Sequence, residues 1–148
     1  MFLATGAYSG YSPFAPGTAG TIAAIPIYLL FCELDDLAYL LLFLALLPLS
    51  FAISSRAEKL FGAKDSGMIV IDEIAGYLVT MFMIPLSAEY IIIGFFLFRF
   101  FDITKIYPAS AAEKMGGGPG VVMDDVIAGI YANLSLRLLI FSGLIPVF

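Results

Sequence analysis

The chain has 148 residues, of which 61% are hydrophobic and 13% charged, with a mean hydropathy of +1.03 and a formal net charge of -5. A soluble domain of this length has too little interior to hide so much apolar surface, so these residues are expected to face lipid. The negative balance argues against a nucleic-acid partner, which would want a basic face.

The length suits a single domain over residues 1–148. Cys32 is the one cysteine, so no internal disulfide forms, and its apolar neighbours read as packing. Residues 1–4 lack a basic n-region, and 6–16 are too rich in Gly, Ser, Tyr and Pro for an apolar h-region. The start of the chain therefore reads as retained protein, not as a signal peptide.

Five apolar stretches of near-spanning length follow, over residues 17–32, 37–54, 68–86, 90–107 and 121–141. A membrane helix needs about 20 apolar residues, so the first is short. Pro26, Pro48 and Pro85 fall within or at the ends of these stretches, as kinks that membrane helices tolerate. The expected fold is all-α, an integral membrane bundle of about five transmembrane helices. Arg56, Lys59 and Lys64 fall between the second and third stretches, and Lys105 and Lys114 between the fourth and fifth. The other connections carry Glu33, Asp35, Asp36 and Glu89 but no cation. Basic loops stay in the cytoplasm, which puts the N-terminus inside and the C-terminus outside.

On that topology the unusual residues gather at one side. The Gly/Pro/Ser-rich N-terminal segment, Asp72-Glu73, the stretch from Arg99 to Lys105, and Asp124-Asp125 all fall near cytoplasmic helix ends. Each acidic pair follows three apolar residues and enters a helix, with Gly76 or Gly129 four positions beyond Asp72 or Asp125. Acids at helix starts suit the dipole when solvated. Two adjacent acids in each of two apolar runs exceed what capping needs, and ionisable groups at membrane depth are functional by default. Asp72, Gly76 and Thr80 share one helical stripe, as do Asp125, Gly129 and Asn133, and small residues so spaced let helix backbones approach. The acids would then face each other, and carboxylates packed together repel unless a cation sits between them. With no His in the chain and no Cys nearby, an all-oxygen cluster suits magnesium ahead of calcium or manganese.

Arg99, Asp102 and Lys105 recur every three residues. They read either as snorkelling cations paired with Asp102, or as Asp102 joining the metal while the cations hold an anionic substrate. The segment 10–21 has prolines at 13 and 16, then Gly17-Thr18-Ala19-Gly20-Thr21, and reads as a rigid loop running into a helix N-terminus, a ready anion site. Gly116-Gly117-Gly118-Pro119-Gly120 reads as a second loop before the last helix. The lack of His excludes Ser-His-Asp hydrolases and histidine-dependent phosphatases, leaving metal chemistry beside anion-binding loops.

Four segments in order carry a family resemblance: 12–21 (SPFAPGTAGT), 57–65 leading into 69–76 (IVIDEIAG), 98–108 (FRFFDITKIYP) and 118–129 (GPGVVMDDVIAG). The chain resembles the phosphatidylglycerophosphatase A family across nearly its whole length. The resemblance implies a magnesium-dependent enzyme of bacterial phospholipid synthesis, removing the terminal phosphate of phosphatidylglycerophosphate to give phosphatidylglycerol and inorganic phosphate. It implies a multi-pass protein of the bacterial cytoplasmic membrane with its active site facing the cytoplasm. Ile106 stands where the family usually has proline, and Thr21 where serine is common.

On this reading Asp72, Glu73, Asp102, Asp124 and Asp125 are the catalytic and metal-ligating candidates for Mg²⁺. Ser12, Gly17, Thr18, Gly20, Thr21, Arg99 and Lys105 are the phosphate-binding candidates. The alternative is a small cation- or proton-coupled transporter using the same carboxylates, which would place them near the midplane rather than at one face. The topology has a direct test. Cysteines introduced at Ala63 and Glu89 in a Cys32-free background are expected to react with an impermeant reagent from opposite sides of the membrane. Labelling of both from outside would refute the five-span arrangement.

Overall fold

The structure is a computed structural model and describes residues 1–62 and 66–145, so Ala63, Lys64 and Asp65 lie outside the described residues. The described residues form six α-helices and a short 3-10 helix over Ser9–Tyr11, with no strand among them. The helices are α1 (Pro16–Phe31), α2 (Asp36–Phe61), α3 (Ile71–Met81), α4 (Ala88–Thr104), α5 (Ala109–Glu113) and α6 (Gly117–Phe141).

Local chemistry accounts for most of the boundaries. α1 opens with Pro16, whose missing N–H falls where no intrahelical partner exists. The Asp35 side chain accepts from the Ala38 N–H at 2.9 Å to cap α2, which stops at Gly62 in the left-handed conformation. α2 is long and apolar enough to cross a membrane, and α1 is apolar but shorter. Arg56 and Lys59 lie on the last turns of α2 itself rather than in a connection.

Three elements differ from the sequence expectation. The apolar stretch 68–86 contains only the 11 residues of α3, because Met83 takes a positive φ and Pro85 bars helix at the residue before it. The glycine-rich run 116–120 is not a loop. Gly116 caps α6, which starts at Gly117, and the Gly118 N–H donates to Ser55 Oγ at 2.9 Å, tying α6 to α2. Likewise residues 16–21 are the first turns of α1, not a loop before it.

α6 packs against α2, α3, α4 and α5. Its closest neighbour is α3, and two glycines permit the approach. A Cβ at Gly76 would lie 2.7 Å from the Asp125 carbonyl oxygen and 2.5 Å from the Phe98 ring, and a Cβ at Gly129 would strike the Gly76 carbonyl. The lower end of α3 is bound by α6 side chains. Asn133 Nδ2 donates to the carbonyls of Thr80 at 2.8 Å and Phe82 at 2.9 Å, and Arg137 Nη2 donates to Phe82 at 3.0 Å. These bonds satisfy carbonyls that the end of a helix leaves without partners. Tyr77 fills the middle of the core with its hydroxyl donating to the Ile91 carbonyl at 2.9 Å, edge-on to Tyr28 and Phe98.

The glycine crossing makes a testable demand. Gly129→Val is expected to destabilise the protein by about 1–3 kcal/mol through overpacking, read as a lower thermal midpoint in detergent. Gly67→Ala, whose Cβ would meet only Pro16 Cγ at 3.8 Å, is expected to stay within about 0.5 kcal/mol of wild type.

Candidate metal and phosphate site

The α3–α6 crossing carries the acids to one place. Asp72 and Glu73 occupy the first turn of α3, and Asp125 lies one turn above Gly129 on α6. Ligand oxygens of Asp72, Glu73 and Asp125 all lie within 4.8 Å of one another. Asp72 is 7% exposed and Asp125 4%, so water cannot solvate their charges. Asp102 of α4 comes within hydrogen-bond reach of Asp125 and is itself paired with Arg99. Buried carboxylates this close cannot all ionise unless a positive charge joins them.

The cluster could receive such a charge. Glu73 Oε2 is buried and has no hydrogen-bond partner among the described residues. Buried polar atoms are rarely left unpaired, so this oxygen fits a metal ligand. With oxygen donors alone, Asp72, Glu73 and Asp125 could hold a hard divalent cation.

Beside the acids lies a group suited to an anion. Arg99 is largely buried and its Nε likewise has no partner among the described residues. Gly17, in the first turn of α1, fits against both. A Cβ there would lie 2.5 Å from Glu73 Oε1 and 3.0 Å from Arg99 Nη1. The first turn of α1 therefore lies against Glu73 and Arg99, where a helix N-terminus could receive an anion.

The remaining candidates are more dispersed. Asp124 is buried, its Oδ1 accepts from the Asp125 N–H at 2.9 Å, and its Oδ2 accepts from Lys105 Nζ at 2.9 Å. Lys105 Nζ also donates to Glu113 Oε1 at 2.8 Å. Asp124 is thus held by a cation of the chain, beside the three-acid group rather than within it. Thr18 is half-buried in the first turn of α1. Thr21 is fully buried and donates to the Gly17 carbonyl at 2.9 Å, and Gly20 sits where a Cβ would meet Val70 at 2.5 Å. Gly20 thus serves the contact between α1 and the residue before α3, and Thr21 bonds within α1. Ser12 donates to the Phe14 carbonyl at 2.8 Å in an exposed turn.

Two residues escaped sequence reasoning. Glu113 reaches Lys105 only because α5 turns the chain back, and its own neighbours gave no sign of it. Arg137 was findable, since Asn133 and Arg137 sit four apart in an otherwise apolar helix and share one face.

The phosphatidylglycerophosphatase A family model matches residues 2–140. The Escherichia coli K12 protein named phosphatidylglycerophosphatase A is 34% identical over 143 residues, covering 95% of this chain and 81% of the relative. The Haemophilus influenzae protein of the same name is 38% identical over 133 residues, covering 88% and 82%. A Bacteroides thetaiotaomicron protein, named as a candidate phosphatidylinositol-3-phosphatase, is 36% identical over 140 residues, covering 89% and 87%. No solved structure matches the chain. The buried acids and the guanidinium beside them belong to an enzyme, a phosphatase. The chain is a member of the phosphatidylglycerophosphatase A family.

Metal binding can be read without activity. Mg²⁺ is expected to raise the thermal midpoint of the purified protein by about 3 °C or more at saturation. Asp125→Asn, which removes one charge and keeps the shape, is expected to lose that shift while its metal-free midpoint stays equal or rises. An undiminished shift would remove Asp125 from the metal site.

Proposed function

We propose that this chain hydrolyses the terminal phosphate of phosphatidylglycerophosphate, using Mg²⁺, at the cytoplasmic face of the bacterial inner membrane. One observation carries the reading. Glu73 and Arg99 each keep a buried polar atom without a partner, and both lie against Gly17 at the start of α1. A cation receptor and an anion receptor side by side suit a phosphate ester held against a metal.

In this mechanism Asp72, Glu73 and Asp125 hold the metal, with Asp102 and Asp124 as further candidate ligands. A bound Mg²⁺ supplies Lewis-acid polarisation of the phosphoryl group. Arg99 and the N–H groups of Gly17 and Thr18 bind phosphate oxygens and offset the charge that spreads over them in the transition state. Lys105 holds Asp124 and Glu113 in place and adds positive potential beside the acids, while Ser12, Gly20 and Thr21 shape the start of α1. In the net hydrolysis the bond between phosphorus and the glycerol headgroup oxygen breaks, phosphorus gains an oxygen from water, and a proton from that water ends on the departing glycerol oxygen.

The placement in a membrane has support of its own. Large apolar side chains stand exposed on several helices, among them Leu41 and Leu44 of α2, Ile92 and Phe96 of α4, and Leu134 and Leu138 of α6. So broad an apolar surface belongs against lipid. We read the chain as a single multi-pass domain with α1, α2, α4 and α6 as spans and α3 as a broken one.

Purified protein with phosphatidylglycerophosphate is expected to release inorganic phosphate with Mg²⁺ and to stop in excess EDTA. Arg99→Lys, which keeps the charge but loses the planar fork, is expected to lower kcat/KM about 100-fold. Full turnover in EDTA would overturn the metal mechanism, and near-normal kcat/KM in Arg99→Lys the phosphate role.

A further inference from the structure

An apolar crevice of about 480 Å³ lies between α1, α2, α3 and the N-terminal segment. Ala23 and Ile27 line it from α1, Leu47 and Ser50 from α2, and Ile74 and Leu78 from α3. Ser50 supplies its one hydroxyl, and that group already donates to the Leu46 carbonyl at 3.0 Å. Water in a cavity needs two to four polar partners, and these walls offer almost none. Left empty, the space would forfeit dispersion contacts along three helices.

The crevice also lies on the wrong side of α3 for the substrate. Ile71, Ile74, Ala75 and Leu78 recur at helical spacing on one face, while Asp72, Glu73 and Gly76 occupy the other. Gly20 of α1 packs against Val70, the residue before α3, and no carboxylate lines the crevice. At its rim Leu49 is 48% exposed, and the roof is formed by Phe2 and Leu3, both more than half exposed. The crevice is thus continuous with the apolar belt that faces lipid.

We infer that this crevice is a lipid site separate from the catalytic one, occupied by an acyl chain of a bilayer phospholipid that braces α3 from behind. A methylene displaces about the volume of a water molecule, about 30 Å³, so the space suits one chain on the order of 16 carbons. The uncharged walls select the chain and not the headgroup, so any diacyl phospholipid serves. The inference rests on the membrane reading above and not on the identity of the substrate.

Phosphatidylcholine is the probe, because it has no terminal phosphate and is no substrate for the proposed reaction. Delipidated wild-type protein in detergent is expected to gain about 3 °C or more in thermal midpoint when dioleoyl phosphatidylcholine is added. Ala23→Phe and Ser50→Phe, which fill the crevice from opposite walls, are expected to lose most of that gain. Phosphatidylcholine with a diazirine in mid-chain is expected to label wild-type Leu47, Ile74 and their neighbours in the crevice at least about tenfold above Leu134 or Leu138 on the outer belt. That measurement stands even if both variants fail to fold. No thermal gain in wild type, an equal gain in folded variants, or labelling spread evenly over the belt would each overturn the site. A protein that stays soluble without detergent and leaves membranes in a salt wash would overturn the membrane reading instead.

Discussion

Gly76 and Gly129 let two helix backbones touch, and the acid cluster depends on that contact. Asp72 and Glu73 lie one turn from the first glycine and Asp125 one turn from the second. A side chain at either glycine would meet the partner's carbonyl. The separation it forced would move the carboxylates apart as well. Packing and chemistry therefore share one constraint, and stability lost at the crossing is also geometry lost at the site.

Around that contact the charges are sorted. Buried Asp72 and Asp125 and half-buried Glu73 keep each other's company, with one Glu73 oxygen unpartnered. Asp102 and Asp124 are drawn instead to Arg99 and Lys105. Removing one member of a buried charged group leaves the others uncompensated, so the five acids are not interchangeable. Arg99 holds Asp102 through Nη1 and sets both terminal nitrogens against Gly17, while its buried Nε has no partner among the described residues.

Much of this was legible beforehand, and the reasons differ by residue. The meeting of Asp72 with Asp125 followed from two stripes of the same form, acid, glycine, then Thr80 or Asn133 at intervals of four. The proximity of Arg99 to Asp102 followed from their spacing. What hydropathy could not tell was where helix stops inside an apolar run. Residues 82–86 are as apolar as α3, and only Pro85 and the left-handed Met83 end it. Gly117, Gly118, Pro119 and Gly120 read as a loop because glycine and proline are poor helix formers, yet Gly118 meets Ser55 and Phe51 of α2 and the run is helical. Hydroxyls and glycines serve anions and tight packing alike, so the sequence could not tell that Gly20 packs on Val70 and that Thr21 bonds back to Gly17. Lys105 bridging Asp124 and Glu113 needed the return turn of α5, which leaves no periodic mark in five residues.

α3 ends inside the bundle, its last carbonyls taken by Asn133 and Arg137 rather than by a further turn of helix. At its upper end it touches α6 through glycine, and at its lower end through these hydrogen bonds. Two helices fastened at both ends move as one rigid body. Strain that tilts one of them therefore carries the other with it. The spacing of the carboxylates is thereby insulated from distortion elsewhere in the bundle.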